Sequence, residues 1–568
     1  MQWKILSPDP NQVQEIQNCL QCHPITAKVL ANRKLGATDQ IHTYLNPKLG
    51  ALPDPASLAG MQTAVARIVR AIQGKEKILI FGDYDADGIT ATAVLNHFLR
   101  VAGARTTCHL PHRVEEGYGL RPMHITHLAV RQGIGLIITV DNGSGSHDAI
   151  HAAAKFGIDV IVTDHHNIVH QLPGAHAVLN PKRAAQPSDL TDLAGVGVAF
   201  YLTIALRTTL REMGWWRQNP EPNLKAYCDF VAIGTVADMV SLKGINRVLV
   251  LSGLDQINRH PRPGITALLR AAGMDRNAVT AEDIAYRLSP RINAAGRMAH
   301  AKVALDLLCA QSIAAAEPLA HDLNVLNQRR QQLEAELFHH IVAFLDARAD
   351  TSNRKSLLVA GANWHEGVLG IVATKLVERY RKPVLVLSGK DCMAKGSGRS
   401  VPHIDLYDTL NRCAHLLETF GGHSSAAGLS LRLENIDPLR HAFEAAVQQA
   451  QCETEAASEL LIDSELNLDQ IDARLIDDLE RLSPFGTDNP APIFMARNVR
   501  VTSAAMVGHR HRKMTLCQPH QQARPIDAML FNLSPDTPRP DAFDRIAFRL
   551  KWHHYRSSKQ IQMVVEAF

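Results

Sequence analysis

Lys77-Ile-Leu-Ile-Phe-Gly-Asp-Tyr-Asp-Ala-Asp-Gly88 sets the fold class of this chain. Five residues of apolar, β-rich sequence run into an acidic turn, and an Ala-rich segment from Ile89 to Ala102 follows with helical character. The same alternation recurs downstream. Leu136–Val140 reads as a strand, His147–Phe156 as a helix and Val160–Thr163 as a strand. Strand and helix in alternation predict a parallel sheet with right-handed crossovers. Helices then dominate to about residue 350, and Leu319–Leu345 is expected as one long helix free of Pro and Gly. A second α/β unit opens at Ser356–Ala360, continues through Pro383–Leu387 and Ala427–Leu431, and ends in a helix from Asp437 to Gln451. Short β-type runs fill the remainder (Val499–Thr502, Lys513–Leu516, Ala528–Phe531, Ile546–Trp552 and Ile561–Val565), the pattern of a small barrel.

Asp83, Asp85 and Asp87 stand at i, i+2 and i+4 after the first strand, where α/β sheets bind their ligands. Such a trio repels itself at neutral pH unless a cation neutralises it. An EF-hand would need a bidentate Glu at the twelfth loop position; that position is Val94, and a strand rather than a helix precedes the loop. Further acids end later apolar runs: Asp141 in Asp-Asn-Gly-Ser144, Asp164 in Asp-His-His166, and Asp238 after Phe230–Ala237, which is expected to be a fourth strand. Parallel strands would gather these ends on one edge. Oxygen-rich donors with one or two imidazoles favour Mn²⁺ or Mg²⁺ over a thiolate zinc site. The supply suffices for two ions, which together activate water and stabilise a leaving oxygen in phosphoryl displacement.

Asp83-x-Asp-x-Asp87, Asp141-Asn-Gly, Asp164-His-His166 and Asp238 resemble the successive motifs of the DHH phosphoesterase superfamily. Arg291-Ile-Asn-Ala-Ala-Gly-Arg297, Trp364–Gly370, Gly396-Ser-Gly-Arg-Ser400, Gly421-Gly-His423 and Pro484-Phe-Gly486 extend the resemblance over nearly the whole chain, within the superfamily's branch of single-strand-specific 5′→3′ DNA exonucleases. The resemblance implies a parallel-sheet DHH domain, a connecting helix, a DHHA1-type α/β domain and a C-terminal OB barrel. The corresponding boundaries are a helical lead-in over 1–60, the catalytic domain over 61–305, the helix over 306–350, the second domain over 351–455 and the barrel over 456–568. It implies Asp83, Asp85, Asp87, Asp141, His165 and Asp238 as ligands of two Mn²⁺ or Mg²⁺ ions. Asp164 and His166 become the catalytic pair, set around the ligands and the phosphate. Gly82-Asp83 stands where many superfamily members have His, so which of the three acids meets which ion stays open. Arg113, Arg291, Asn293, Arg297, Ser397, Arg399 and His423 are implied for phosphate and DNA; the Ser-Gly-Arg resembles a pocket for the 5′-terminal phosphate. Trp552 and Arg556 of the barrel are implied for the strand.

The net charge of +4 does not by itself indicate nucleic acid. Its distribution does more. Residues from Arg497 onward hold twelve Lys and Arg against five Asp and Glu, leaving the body slightly acidic. His509–Lys513 and Phe548–Arg556 interleave cations with aromatics, which suits single-strand binding. A barrel and two α/β domains closing a channel would admit single strands and exclude duplex. Cys19-Leu-Gln-Cys22-His23 matches a haem attachment motif, but no export signal or further ligand accompanies it. Nine scattered cysteines fit a reducing cytoplasm, and no apolar run of membrane length occurs. The resemblance adds single-stranded DNA, single-strand binding protein and a RecQ-type helicase as partners of a monomer. Two competing readings are a phosphoesterase for short oligoribonucleotides, cyclic dinucleotides or nucleotide phosphates, and a non-catalytic DNA-binding relative. The apparent barrel argues against the first and the intact acids against the second.

Overall fold

The computed structural model describes residues 2–35, 38–168, 171–183, 188–217, 219–274, 279–348, 353–451, 459–508, 510–519, 525–533, 538–555 and 558–568. The chain divides into two compact units: Pro53–Val240 with Ser252–Ala456, and Met1–Leu52 with Ser241–Leu251 and Ala457–Phe568.

The first of these units is built on a five-stranded parallel sheet in the order Arg105–His109, Lys77–Phe81, Leu136–Val140, Asp159–Thr163, Ala177–Leu179. The two strands not foreseen are the edges: Arg-Thr-Thr-Cys-His is polar, and Ala-Val-Leu is only three residues long. Lys77–Phe81 has its chain successor on one side and Leu136–Val140 on the other. The topology therefore switches direction between these two strands, where a crevice opens at their carboxyl ends. Phe81 lies level with Thr139, and Val140 with Thr163. The residues that follow, Asp83, Asp141 and Asp164, thus leave the sheet on one edge.

Helix Ala86–Val101 carries Asp85 as its N-cap and is buried along most of its length. Helices Gly195–Glu212 and Cys228–Ala237 pack on it. The latter corrects the expected fourth strand. Phe-Val-Ala-Ile-Gly-Thr-Val-Ala is apolar on every side because helices enclose it. A continuous apolar run of that length has no period by which a buried helix and a buried strand differ. Asp238 consequently caps a helix C-terminus instead of ending a strand.

Ser312 caps a helix of 34 residues, Ile313–Asp346, which begins before the expected start and takes Pro318 into its first turns. The mixed sheet of the second α/β part has the order Thr419–His423, Ala426–Arg432, Met393–Arg399, Val384–Lys390, Leu357–Ala362, with only the last pair parallel. Gly396-Ser-Gly-Arg399 and Gly421-Gly-His423 thus lie on strands, not in loops.

In the other unit, Phe494–Val507, His511–Cys517, Ile526–Leu530, Ser558–Ala567 and Ala542–Tyr555 pair in turn, and the last returns to the first to close a barrel. The N-terminal segment pairs and packs within this unit. Gln2–Ile5 pairs in parallel with Glu459–Ile462, and Ile25, Val29 and Leu30 share a core with Leu475, Phe494 and Phe548. The haem-like motif is explained here as well: His23 Nδ1 accepts the Ile25 N–H as a helix cap, and Cys22 is buried. Among the described residues no helix is long and apolar enough to cross a membrane.

Gly234 brings Cys228–Ala237 against the acidic loop. A Cβ there would lie 2.4 Å from Thr90 Oγ1 and 2.7 Å from Asp87 Oδ1. Gly234→Ala is expected to destabilise the protein by about 1–3 kcal/mol, as overpacking does. A lowered urea midpoint checks this; an unchanged midpoint would refute the close packing.

Candidate metal centre and phosphate site

Asp83, Asp87, Asp141, Asp164 and His165 are all buried at the edge of the parallel sheet. The backbone ladder extends one residue past each strand: Gly82 N–H donates to His109 O, Asp141 N–H to Thr163 O and Asp164 N–H to Leu179 O. Asp141 is held at φ 62°, an uncommon left-handed conformation for a residue with a side chain. The Tyr118 hydroxyl donates to its carbonyl at 3.2 Å.

The acids divide by what already engages them. Asp164 is saturated: Oδ2 accepts Ser144 N–H at 2.9 Å, and Oδ1 accepts the N–H groups of His165 and His166 and the His166 ring at 2.8 Å. Asp87 accepts Gly195 N–H at 2.7 Å and Val196 N–H at 2.9 Å from the start of helix Gly195–Glu212. Asp85 Oδ1 caps its own helix through Asp87 N–H and Gly88 N–H. By contrast, Asp83 Oδ1, Asp141 Oδ1 and both ring nitrogens of His165 are buried without a hydrogen-bond partner. His165 Nε2 lies 3.1 Å from Asp141 Oδ1, 3.5 Å from Asp238 Oδ2 and 3.8 Å from Asp87 Oδ2. Asp83, Asp85 and Asp141 each bring one oxygen within 4.8 Å of the others, as do Asp87, His165 and Asp238 with one donor atom apiece. The two groups share an edge through Asp141 and His165.

Electrostatics says what such a cluster lacks. Burial, reinforced by Asp85, pushes Asp87 up to about 7. Burial with Asp87 and Asp85 pushes Asp238 up to about 9. Asp83 and Asp141 are raised well above the carboxylate range for the same two reasons. Asp238 also sits at a helix C-terminus, the end whose dipole disfavours an anion. Unpartnered oxygens, mutual repulsion and a neutral imidazole donor together fit divalent cations, and the hard-oxygen majority fits Mn²⁺ or Mg²⁺.

The adjacent histidines are driven apart. Burial, with the charge of His166 nearby, lowers His165 to about 3, leaving it a neutral donor. Burial opposes charge on His166 too, but the Asp164 carboxylate outweighs it and raises the ring to about 9. Asp164, despite its burial, is held below its usual range by His166 and Ser144.

Cations gather beside the acids. The Arg113 guanidinium lies 4.8 Å from the Tyr84 ring centroid. Burial, followed by the charges of Arg113, Arg330 and Arg399, lowers Arg297 to about 9. Arg297 donates to Gly367 O at 3.1 Å, and Arg399 donates to Ser397 Oγ at 3.1 Å. Ser397 and Arg399 crowd Gly370 in the first turns of helix Glu366–Tyr380, where a Cβ would lie 2.9 Å from Ser397 Oγ. Guanidinium groups beside a helix N-terminus form an anion site. Burial, with the charges of Arg399 and His166 nearby, lowers His423 below its usual value.

Several expected contacts take other forms. Asn293 Oδ1 accepts Ala86 N–H at 2.8 Å, locking the acidic loop. Arg291 donates through Nε to Asn324 Oδ1 at 3.0 Å and through one Nη to Arg287 O at 2.6 Å. Trp552 donates its indole N–H to Asp477 at 2.8 Å, and the Lys559 ammonium lies 4.1 Å from the ring centroid; that face is covered rather than open to a base. Arg556 lies outside the described residues. Sequence reasoning missed Tyr118, Gly195, Asn180 and Arg330. The Gly195-Val-Gly197 helix opening was the one usable signal, since its N–H groups hold Asp87. Asn180 donates to Ser144 Oγ and His166 O, a role that only the fold reveals.

The DHH family, N-terminal domain, matches residues 77–235, and the DHHA1 domain matches 354–449. Fold and site define a DHH-family protein with a DHHA1 domain. The RecJ OB domain matches 462–567. The single-stranded-DNA-specific exonuclease RecJ of Dickeya dadantii is 37% identical over 538 residues, covering 92% of each chain. That of Haemophilus influenzae is 33% identical over 566 residues and 97% of each. The chain spans 66% of the longer Bacillus subtilis RecJ, at 34% identity. The crystal structure of Thermus thermophilus RecJ in complex with Mn²⁺ superposes over 99% of this chain and 78% of that one, with a TM-score of 0.83 at 29% identity. The chain belongs to the RecJ family.

The raised acids set a pH dependence. Without metal, Asp87 and Asp238 are protonated in the folded state beyond their ordinary value of 3.8. Their contribution to stability is complete below about pH 4 and is lost as pH climbs through about 7 and about 9. Bound Mn²⁺ takes the place of those protons. The rise in Tm on adding Mn²⁺ is therefore expected to be larger at about pH 8.5 than at about pH 6. Equal increments at both would refute the assignment.

Proposed function

We propose that this chain is a metal-dependent exonuclease that digests single-stranded DNA from the 5′ end and releases 5′-mononucleotides, in DNA repair and recombination. One observation carries the reading: buried acids with unpartnered oxygens lie in the same field as the guanidinium groups of Arg113, Arg297, Arg330 and Arg399. Acids alone would suit a structural cation, and arginines alone a phosphate sensor. Side by side they suit hydrolysis of a phosphate ester.

Asp83, Asp85, Asp87, Asp141, His165 and Asp238 would hold two Mn²⁺ or Mg²⁺ ions, which would activate water and neutralise charge on the scissile phosphate. The charged His166, turned by its Nδ1 bond to Asp164, offers Nε2 as a donor to a phosphate oxygen. Asp164 touches no substrate in this scheme. It is a positioning residue acting through His166 and through the backbone of His165. Arg399, Ser397, Arg297 and Arg113 would grip the 5′-terminal phosphate and so set the polarity. The barrel would track the strand with its basic surface. Single-strand binding protein and a RecQ-type helicase are the proposed partners of a cytoplasmic monomer. The domain boundaries set out from the sequence are retained, with the lead-in joined to the barrel.

The test is digestion of single strands labelled at either end, with Mn²⁺ or Mg²⁺, against blunt duplex. Release from the 5′ end of single strands alone is expected. Arg399→Ala should raise KM for a 5′-phosphorylated strand about 10- to 100-fold, the worth of a charge-assisted bond, with kcat nearly unchanged. Equal rates on duplex, or equal KM for the variant, would overturn the reading. Comparison with dinucleotides separates it from a short-oligonucleotide phosphoesterase.

A further inference from the structure

The segment from Leu110 to Leu120 joins the edge strand Arg105–His109 to the helix Pro122–His124 and sends two side chains to the site. Arg113 lies against Tyr84 of the acidic loop, and Tyr118 reaches the Asp141 carbonyl and the His166 ring, 3.1 Å from its Nδ1. Gly117 and Gly119, on either side of Tyr118, have φ of +75° and +77°. Two such glycines give the segment wide backbone freedom, so something must hold it.

Glu116 lies between Arg113 and Tyr118 and bonds in three directions. Its Oε1 accepts His112 N–H at 2.8 Å. Its Oε2 faces His109 Nε2 at 2.9 Å and His124 Nε2 at 3.0 Å. Both imidazoles pack on Phe81, the last residue of the strand Lys77–Phe81. The trio has ligand-like spacing, yet its hydrogen bonds assign it otherwise. Arg121 N–H donates to His124 Nδ1 at 2.9 Å, so that nitrogen keeps its lone pair. In a neutral ring the proton is then on Nε2, where it is donated to Glu116 and no lone pair faces an ion. Burial keeps His124 below its usual value, hence neutral. Burial opposes the charge on Glu116, but its donors outweigh it and hold the carboxylate below its usual range.

We infer that Glu116 is a positioning residue for the hydrolytic site: latched to His109 and His124, it fixes the 110–120 segment so that Tyr118 pins the left-handed Asp141 backbone and Arg113 stays against the acidic loop. The inference rests on the reading of Asp141 as a metal ligand. Glutamine at 116 has one carbonyl oxygen for three donors and turns an amide N–H toward His124 Nε2–H.

The experiment compares Glu116→Gln, Tyr118→Phe and the double variant in the full-length protein. Mn²⁺ affinity is read by calorimetry, and kcat and KM on a 5′-phosphorylated single strand. Glu116→Gln is expected to weaken Mn²⁺ binding and lower kcat by about 10-fold each, as loss of supporting bonds around metal ligands does. In the Tyr118→Phe background it should change either quantity less than about twofold, the non-additivity of residues acting in one chain. His109→Gln, at a partly exposed position, removes half the latch and is expected to fall between. It carries the test where Glu116→Gln fails to fold. Wild-type Mn²⁺ affinity and kcat in Glu116→Gln or His109→Gln would overturn the inference, as would a full loss persisting in the Tyr118→Phe background. Asp141→Asn separates the two possible failures: unchanged Mn²⁺ binding in that variant would sink the metal reading itself, whatever the latch does.

Discussion

Asp87, Asp141 and Asp238 converge on His165, with Asp83 and Asp85 grouped beside Asp141, and burial forbids these acids from carrying charge together without a counter-ion. Each environment pushes its acid upward, and each acid pushes the next. The surrounding fold holds this unfavourable arrangement in place. A helix N-terminus donates two N–H groups to Asp87, a helix C-cap fixes Asp238, and a left-handed turn presents Asp141. A site assembled against its own repulsion becomes favourable only with cations bound, which is how a protein selects for divalent metal without thiolates.

The sheet makes the convergence possible. Because the chain reverses its direction of winding between Lys77–Phe81 and Leu136–Val140, no crossover helix blocks the gap at their carboxyl ends. The Asp83 loop and the Asp141 turn border that gap. The helix that starts at Ala86 then runs away from it, buried against Gly195–Glu212 and Cys228–Ala237. Gly234 and Gly195 allow those helices to approach the acids at distances that a Cβ would forbid.

The sheet's central strands, the long helix and the barrel strands were legible because apolar runs and their punctuation report burial directly. The acids were legible because carboxylates in sequence after strands have few structural uses. What stayed hidden depends on contacts that sequence spacing does not encode. Phe230–Ala237 has no period to distinguish helix from strand. Arg105–His109 is too polar to read as a strand, since an edge has one partner and needs little apolar surface. Arg291, Asn293 and Arg297 share one motif, yet Arg291 turns to Asn324, Asn293 to Ala86 N–H, and only Arg297 reaches the guanidinium cluster. A helix presents successive residues to different surroundings, so a motif names its members without separating their roles.

His165 and His166 make the same point at one-residue resolution. Identical side chains joined by one peptide bond end in opposite states, because one is turned into the buried acids and the other, half-exposed, bonds the buried Asp164 carboxylate. A neutral imidazole can give a lone pair to a metal; a charged one can only donate protons or hydrogen bonds. Asp164 imposes the difference. It accepts the backbone N–H of both histidines and so orients the pair, but it takes a side-chain hydrogen bond from the His166 ring alone. In the motif Asp-His-His the aspartate therefore serves as the divider: with it in place His165 stays neutral, keeping the lone pair a cation needs, and His166 is charged, with a proton to donate.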